Sequence, residues 1–232
     1  MNALAPARGH IVLDVGCGAG ETILQLADRV GRSGGVIGVD LAPRVLAVAR
    51  CRTGHLPQVT LLRADAASVA LPDQSVDGIF SRFGTMFFAD PIMAFANMRR
   101  MLKPGGRIGF VCWRSMEENE LDFFPLETAG LNLTIDDTPF SFEDARKVDR
   151  ILRSAGFDRV EIQAFDAQVS SGNAETMVTV VTRVGALGKI LREAPALLPE
   201  AERRVRSALL TRERDGSVSL GAATWVVTAI AA

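Results

Sequence analysis

The run Asp14-Val15-Gly16-Cys17-Gly18-Ala19-Gly20 is the first stretch whose residue types point to chemistry. It follows the apolar segment HIVLDV (10–15) and precedes an amphipathic segment that starts at Glu21. Glycines at a strand-to-helix turn let backbone approach a ligand closely, and the N–H groups of the following helix face that ligand. A tight turn without a ligand needs fewer glycines than the three alternating here. A dinucleotide fingerprint is GxGxxG. Counting from Gly16 gives GxGxG, with Glu21 where the third fingerprint glycine would stand, which argues against NAD or FAD. Asp40 closes a second apolar segment, GVIGVD, where a carboxylate can accept from both ribose hydroxyls of a nucleoside. The plain alternative is a solvated aspartate in a turn. Asp65, followed by Ala66, closes a third. A carboxylate there can accept from an exocyclic amine while the next backbone N–H donates to a ring nitrogen. Each signal is weak alone; at three successive strand ends they form a constellation suited to an adenosine-containing ligand.

Groups for acid–base work are scarce. The chain has no tyrosine and two histidines, His10 and His55, although much general acid–base chemistry uses these residue types. His10 precedes the first strand, at the edge of the sheet opposite the ligand, and His55 lies in a loop after the second helix. Glu117, Glu118 and Asp122 follow the fifth strand and can be read as a base, as a cation-binding group or as a solvated acidic loop. Phe83, Met86, Phe87 and Phe88 fit either an apolar acceptor pocket or packing between a strand and a helix. Trp113 fits a cap over the ligand or a core position.

Positioning these residues requires a particular framework. Short apolar runs at 10–15, 35–39, 59–62, 75–80 and 107–113 read as buried parallel strands. Segments 21–30, 43–50 and 91–102 read as helices, with Pro43 and Pro91 in first turns and Asp90 as an N-cap. Lys103-Pro104-Gly105-Gly106 reads as a turn that stops the third helix. Alternating strands and helices predict a doubly wound α/β sheet, which binds ligands beyond the carboxyl ends of its strands. Beyond residue 114 the pattern loosens. A helix over 143–155, a strand near 158–165, a mostly helical stretch over 174–212, a turn at Asp215-Gly216 and a β-rich run over 217–230 complete the reading.

The segments VLDVGCGAGETIL (12–24), VIGVD (36–40), RADAASVALPDQSVDGIFSRFGTMFFADP (63–91) and RRMLKPGGRIGFVCW (99–113) resemble class I S-adenosylmethionine-dependent methyltransferases. The resemblance is nearest to the small-molecule branch that includes ubiquinone and menaquinone biosynthesis. It implies a Rossmann-like, mostly parallel seven-stranded sheet with an antiparallel last strand and a helical insertion before it. It also implies one methyltransferase domain over 1–232, with 1–114 as the cofactor half and 115–232 as the acceptor or lid region and last strands. S-adenosylmethionine would be the donor and S-adenosylhomocysteine the product. Asp14, Gly16, Cys17 and Gly18 would surround the methionine part, Asp40 would hold the ribose and Leu41 would pack on the adenine. Asp65 and Ala66 would read the adenine edge, while Ser81, Arg82 and Phe83 would lie near the sulfonium. Such enzymes usually carry one or two covering helices before the first strand, where this chain has about ten residues. Cover would then come from the 174–212 region or from a second subunit, or the site would be open.

Bulk properties narrow the partners. Twenty-six Lys+Arg against 27 Asp+Glu give a formal charge of -1, and no basic cluster stands out in the sequence, so no nucleic-acid or membrane partner is expected. The three cysteines form no CxxC pair, which suggests neither a metal site nor a disulfide framework. No run reaches the roughly 18 apolar residues of a membrane span, and no signal peptide is read at the N-terminus. A cytoplasmic enzyme acting on a small molecule is expected, and a homodimer is compatible with this reading. A non-catalytic binding or partner-regulating module is the alternative, prompted by the absence of an evident base.

Overall fold

In the computed structural model, which describes residues 1–131 and 135–231, the strands join in one seven-stranded sheet of order β3-β2-β1-β4-β5-β7-β6. The strands are β1 (Ile11–Val15), β2 (Gly35–Asp40), β3 (Val59–Arg63), β4 (Val76–Arg82), β5 (Leu102–Trp113), β6 (Phe157–Ser170) and β7 (Ser219–Ala231). Pairings β1–β2, β1–β4, β2–β3 and β4–β5 are parallel, and the last strands run antiparallel. The expected Rossmann-like α/β class, mostly parallel sheet and late helical insertion are therefore all present.

The residues gather into two compact units. The first comprises Met1–Cys112, Ser141–Gln163 and the chain from Trp225 on. Its helices are α1 (Glu21–Val30), α2 (Pro43–Thr53), α3 (Pro91–Met101) and α5 (Ala145–Ser154). One core joins Val12, Val36 and Phe80 to Ile23, Leu26 and Val30 of α1 and Leu46 of α2. Phe95, fully buried on α3, packs 5.4 Å from the Phe110 ring and 6.2 Å from the Phe142 ring. The second unit comprises Trp113–Phe140 and Ala164–Thr224. There α4 (Glu120–Ala129), α6 (Ala174–Val181), α7 (Gly185–Glu193) and α8 (Leu198–Arg212) bury Leu126, Met177, Val178, Leu191, Val205 and Leu209 together.

Two local outcomes differ from the sequence reading. Lys103-Pro104-Gly105-Gly106 is not a free turn but belongs to β5. The register jumps there from Val76↔Leu102 to Gly78↔Arg107, so the segment bulges out of the ladder with Gly105 at φ +75°. Proline and glycine disrupt pairing without ending the strand, because Arg107–Val111 resumes it. Helix α4 also forms where no helix was read. Pro125 sits within it, and neighbouring side chains rather than propensity hold it in place. Elsewhere the local signals hold. Asp90 caps α3 by accepting from the Met93 N–H at 3.0 Å with Pro91 behind it, and Asp215-Gly216 forms the tip of a two-residue turn with both φ angles positive.

Candidate functional site

Strand order reverses at β1, whose neighbours β2 and β4 leave by opposite sides. A cavity of about 600 Å³ opens beyond the carboxyl ends of these strands. Its volume falls in the usual range for small-molecule sites. All of its walls belong to the first unit. Val15 and Gly16 come from the end of β1, Val39, Asp40 and Leu41 from β2, and Ala64–Ala67 from the turn after β3. Phe83, Gly84, Phe87, Phe88, Ala89, Asp90, Met93 and Ala94 supply the remaining side.

The glycine-rich turn meets the segment after β4 at very close range. A Cβ added to Gly84 would stand 2.6 Å from the Val15 carbonyl oxygen and 3.1 Å from Gly16 Cα. Gly16 itself lies at φ +70°, where L side chains are disfavoured. A Cβ on Gly18 would meet nothing within 4 Å, so the backbone there borders open space that a ligand can use. Phe83 also holds a left-handed conformation, φ +62°, at a cost of order 1–3 kcal/mol for a non-glycine residue. Its N–H donates to the Val111 carbonyl at 3.0 Å, which anchors the backbone as the chain leaves β4.

Three carboxylates line the cavity, Asp40, Asp65 and Asp90, and none of its lining residues is basic. Asp40 Oδ2 accepts from the Gly18 N–H at 2.9 Å and Oδ1 from the Ala42 N–H at 2.8 Å. The carboxylate thus ties the glycine turn to the start of α2, and each oxygen keeps lone-pair capacity for a hydroxyl. Asp65 Oδ1 accepts from the Ala67 N–H at 2.9 Å, forming a local turn beside the buried Ala66. Asn97 on α3 pins that turn by donating to the carbonyls of Ala67 and Val69 at 3.3 and 3.1 Å. Phe87, Met93 and Leu41 expose much of their apolar surface on the cavity walls.

Several expected contact residues are placed deeper. Asp14 is fully buried; its Oδ2 accepts from the Thr22 hydroxyl, while Oδ1 has no hydrogen-bond partner. Burial pushes its carboxyl up to about 7, against the opposing Thr22 bond and the Arg82 charge. Cys17 is buried against Gly38, and burial pushes its thiol up to about 12. Ser81 is also buried, and its hydroxyl is occupied within the protein. None of these three side chains lines the cavity, whereas Gly16, Asp40, Leu41, Asp65, Ala66 and Phe83 all do. Sequence reasoning missed Gly84, Met93 and Asn97. The first packs against Gly16 and the other two project from α3, relations that no local spacing encodes.

The acidic candidates Glu117, Glu118 and Asp122 lie in the second unit, and His10 and His55 in the first. Hydrogen bonding to Arg114 holds Glu118 below the usual carboxylate range, which suits an ion-pair partner better than a base. Asp122 accepts from the Ala186 N–H at 2.9 Å at the start of α7, and burial raises its carboxyl. Glu117 is exposed. Among the described residues no cluster of His, Cys, Asp and Glu could hold a metal ion, and no helix is long and apolar enough to cross a membrane.

Residues 13–110 match the Methyltransferase domain family. Over this stretch the chain is similar to a methyltransferase domain. The sequence resemblance implies S-adenosylmethionine as the donor and S-adenosylhomocysteine as the product. The chain is 38% identical over 117 residues to the 2-phytyl-1,4-naphtoquinone methyltransferase of Thermosynechococcus vestitus, an alignment covering 50% of this chain and 52% of that protein. The chain thus spans about half the length of this relative. It is 28% identical to the demethylmenaquinone methyltransferase of Staphylococcus haemolyticus, covering 70% of this chain and 74% of that one. The solved structure of the YcgJ protein from Bacillus subtilis shares the fold, with a TM-score of 0.64 at 21% identity over 97% of this chain and 94% of that one.

The residues present fit this donor. A glycine turn with open space above Gly18 can receive an extended ligand, and Asp40 is placed for a diol. The sulfonium and ammonium of the donor outweigh its carboxylate, so a wall of aspartates without lysine or arginine attracts it. The same wall repels the diphosphate of a dinucleotide.

Proposed function

We propose that the cavity at the ends of β1–β4 binds S-adenosylmethionine and that the chain transfers its methyl group to a small, ring-bearing apolar acceptor of the quinol type. The observation that supports this most is the pairing of three carboxylates with an apolar, aromatic wall and no basic group. Gly16 and Gly18 would carry the amino-acid part of the donor, Asp40 the ribose, and Asp65 with Ala66 the adenine. Leu41 would pack against the base.

The bound donor supplies an already electrophilic methyl carbon. The remaining work of the protein is alignment and exclusion of water, which can provide about 7 kcal/mol or more when the geometry is good. Phe83, Phe87, Phe88 and Met93 present flat and deformable apolar surface to a ring. Such a wall orients an acceptor by shape, and a phenolic oxygen or ring carbon is activated by the acceptor's own acidity. The relatives named for naphthoquinone and demethylmenaquinone favour that acceptor class. Neither a nucleic acid nor a membrane is invoked as a partner.

Two measurements test the reading. Isothermal titration with S-adenosylhomocysteine should show one site, weakened by about 1–3 kcal/mol in Asp40→Ala because the diol loses its charged acceptor. A well-folded protein that binds none, or that prefers NADH, would refute the donor site. Labelled S-adenosylmethionine should transfer methyl to a reduced demethylnaphthoquinone and not to small polar amines. Turnover only with the amines would reject the acceptor class and leave the donor site standing.

A further inference from the structure

Ser81 carries no ligand-facing surface, yet it stands at the narrowest point of the site. It is the penultimate residue of β4 and pairs in register with Val15 at the end of β1. Its hydroxyl donates to the Val15 carbonyl at 2.8 Å and accepts from the Gly84 N–H at 3.2 Å. One buried side chain therefore joins the last residue before the glycine turn to the glycine that packs against it. The spacing it bridges leaves no slack, since a Cβ on Gly84 would stand 2.6 Å from Val15 O and 2.9 Å from Ser81 Oγ. Between Ser81 and Gly84 the chain passes through Phe83 in its left-handed conformation, and both Phe83 and Gly84 line the cavity.

We infer that Ser81 is a positioning residue for the donor, a hydroxyl clamp that holds Gly84 against Gly16 and so fixes the cavity wall between the glycine turn and Phe83. The clamp acts through those residues and touches no ligand. Without it the Val15 carbonyl and the Gly84 N–H each lose a buried partner, and the β1–β4 ladder, which ends at the Val15–Ser81 pair, does not reach Gly84. A left-handed phenylalanine then has a route to relax, which widens the gap that the two glycines close. The inference rests on the donor site proposed above, and it separates a residue that shapes that site from those that contact its ligand.

The test compares Ser81→Ala with Thr182→Val. Thr182 also has a buried hydroxyl, bonded to the Val178 carbonyl at 2.8 Å, but it lies in the second unit. In Ser81→Ala the dissociation constant for S-adenosylhomocysteine should rise about tenfold, as loss of two hydrogen bonds at a wall implies. The KM for S-adenosylmethionine should follow it while kcat at saturation stays within about twofold. Thr182→Val should lower the melting temperature without moving the dissociation constant. A folded Ser81→Ala protein with wild-type affinity overturns the clamp. Should that variant not fold, amide exchange of the wild type decides instead. The Gly84 N–H should be protected in the free protein and more so with S-adenosylhomocysteine, and exchange at the free-peptide rate overturns the inference. Failure of the wild type itself to bind S-adenosylhomocysteine overturns the donor site, and is read independently of either variant.

Discussion

Gly84→Ala should weaken S-adenosylhomocysteine binding about a hundredfold and lower the melting temperature. The new Cβ would lie 2.6 Å from the Val15 carbonyl oxygen, 2.9 Å from Ser81 Oγ and 3.1 Å from Gly16 Cα. Two of these neighbours are backbone atoms in or beside a parallel strand pair, so no flexible side chain can swing aside. Overpacking of this kind costs about 1–3 kcal/mol. In a chain of this size that corresponds to a drop of roughly 2–12 °C. Affinity should fall by about a hundredfold, because the relief movement separates Gly16 from Gly84 and displaces the cavity wall. Gly105→Ala provides the comparison. Gly105 also has a positive φ, +75°, but a Cβ there meets nothing within 4 Å, and the residue is not on the cavity wall. That variant should lose about 1–2 kcal/mol from the left-handed backbone alone and keep its affinity. Equal effects of the two substitutions on binding would refute the role of the close approach.

Asp14→Asn should remove a large pH dependence of stability. Burial raises the Asp14 carboxyl from 3.8 to about 7 in the folded protein, the Thr22 bond and the Arg82 charge only partly opposing it. The folded state therefore binds this proton more tightly than the unfolded state does. Between pH 4 and pH 7 the unfolded chain releases it first, so the contribution of Asp14 to stability falls as pH rises and levels off above pH 7. The whole change amounts to about 4 kcal/mol, to order of magnitude. Asp77, Glu118, Glu120 and Asp136 work in the opposite sense. Their folded-state values are lowered, so their contributions are lost as pH falls. A difference between wild type and variant isolates Asp14 from this background. Denaturant unfolding at pH 4, 5.5, 7 and 8 should show Asp14→Asn gaining on the wild type by a few kcal/mol across the interval, with most of the gain reached by pH 7. Parallel stability curves would show that the carboxyl titrates normally. The asparagine oxygen can still accept from Thr22, so the substitution keeps the one hydrogen bond that Asp14 makes here.

A carboxylate poised in this way is a poor ligand contact but a responsive support. It lies beneath the glycine turn, fully buried, with one oxygen unpartnered. The acidic residues that face the cavity are instead Asp40, Asp65 and Asp90, which remain accessible and bonded to backbone N–H groups. Asp40 thus both faces the cavity and holds the glycine turn, whereas Asp14 supports the turn from below without reaching the cavity.

What the sequence by itself determined is the order of elements and the strand ends at which function sits. Apolar runs that end in or next to Asp or Gly suffice to place Gly16, Asp40 and Asp65 at the same edge of a parallel sheet. That information is local, because strand ends depend on neighbouring residues. Only the tertiary structure decided which side chains face the cavity. Asp14 and Ser81 are both fully buried, and the pairing of Asp14 with Phe80 and of Val15 with Ser81 sets them on opposite faces of the sheet. Gly84 matters because it meets Gly16 from a segment 68 residues away, and Met93 and Asn97 matter because α3 packs against the turn after β3. The bulge at Lys103–Gly106 and the helix around Pro125 belong to the same class, since pairing and packing with distant segments outweigh the local preference for a break. Side-chain direction at a strand end is a property of the pair of strands, and the pair exists only once the sheet has formed.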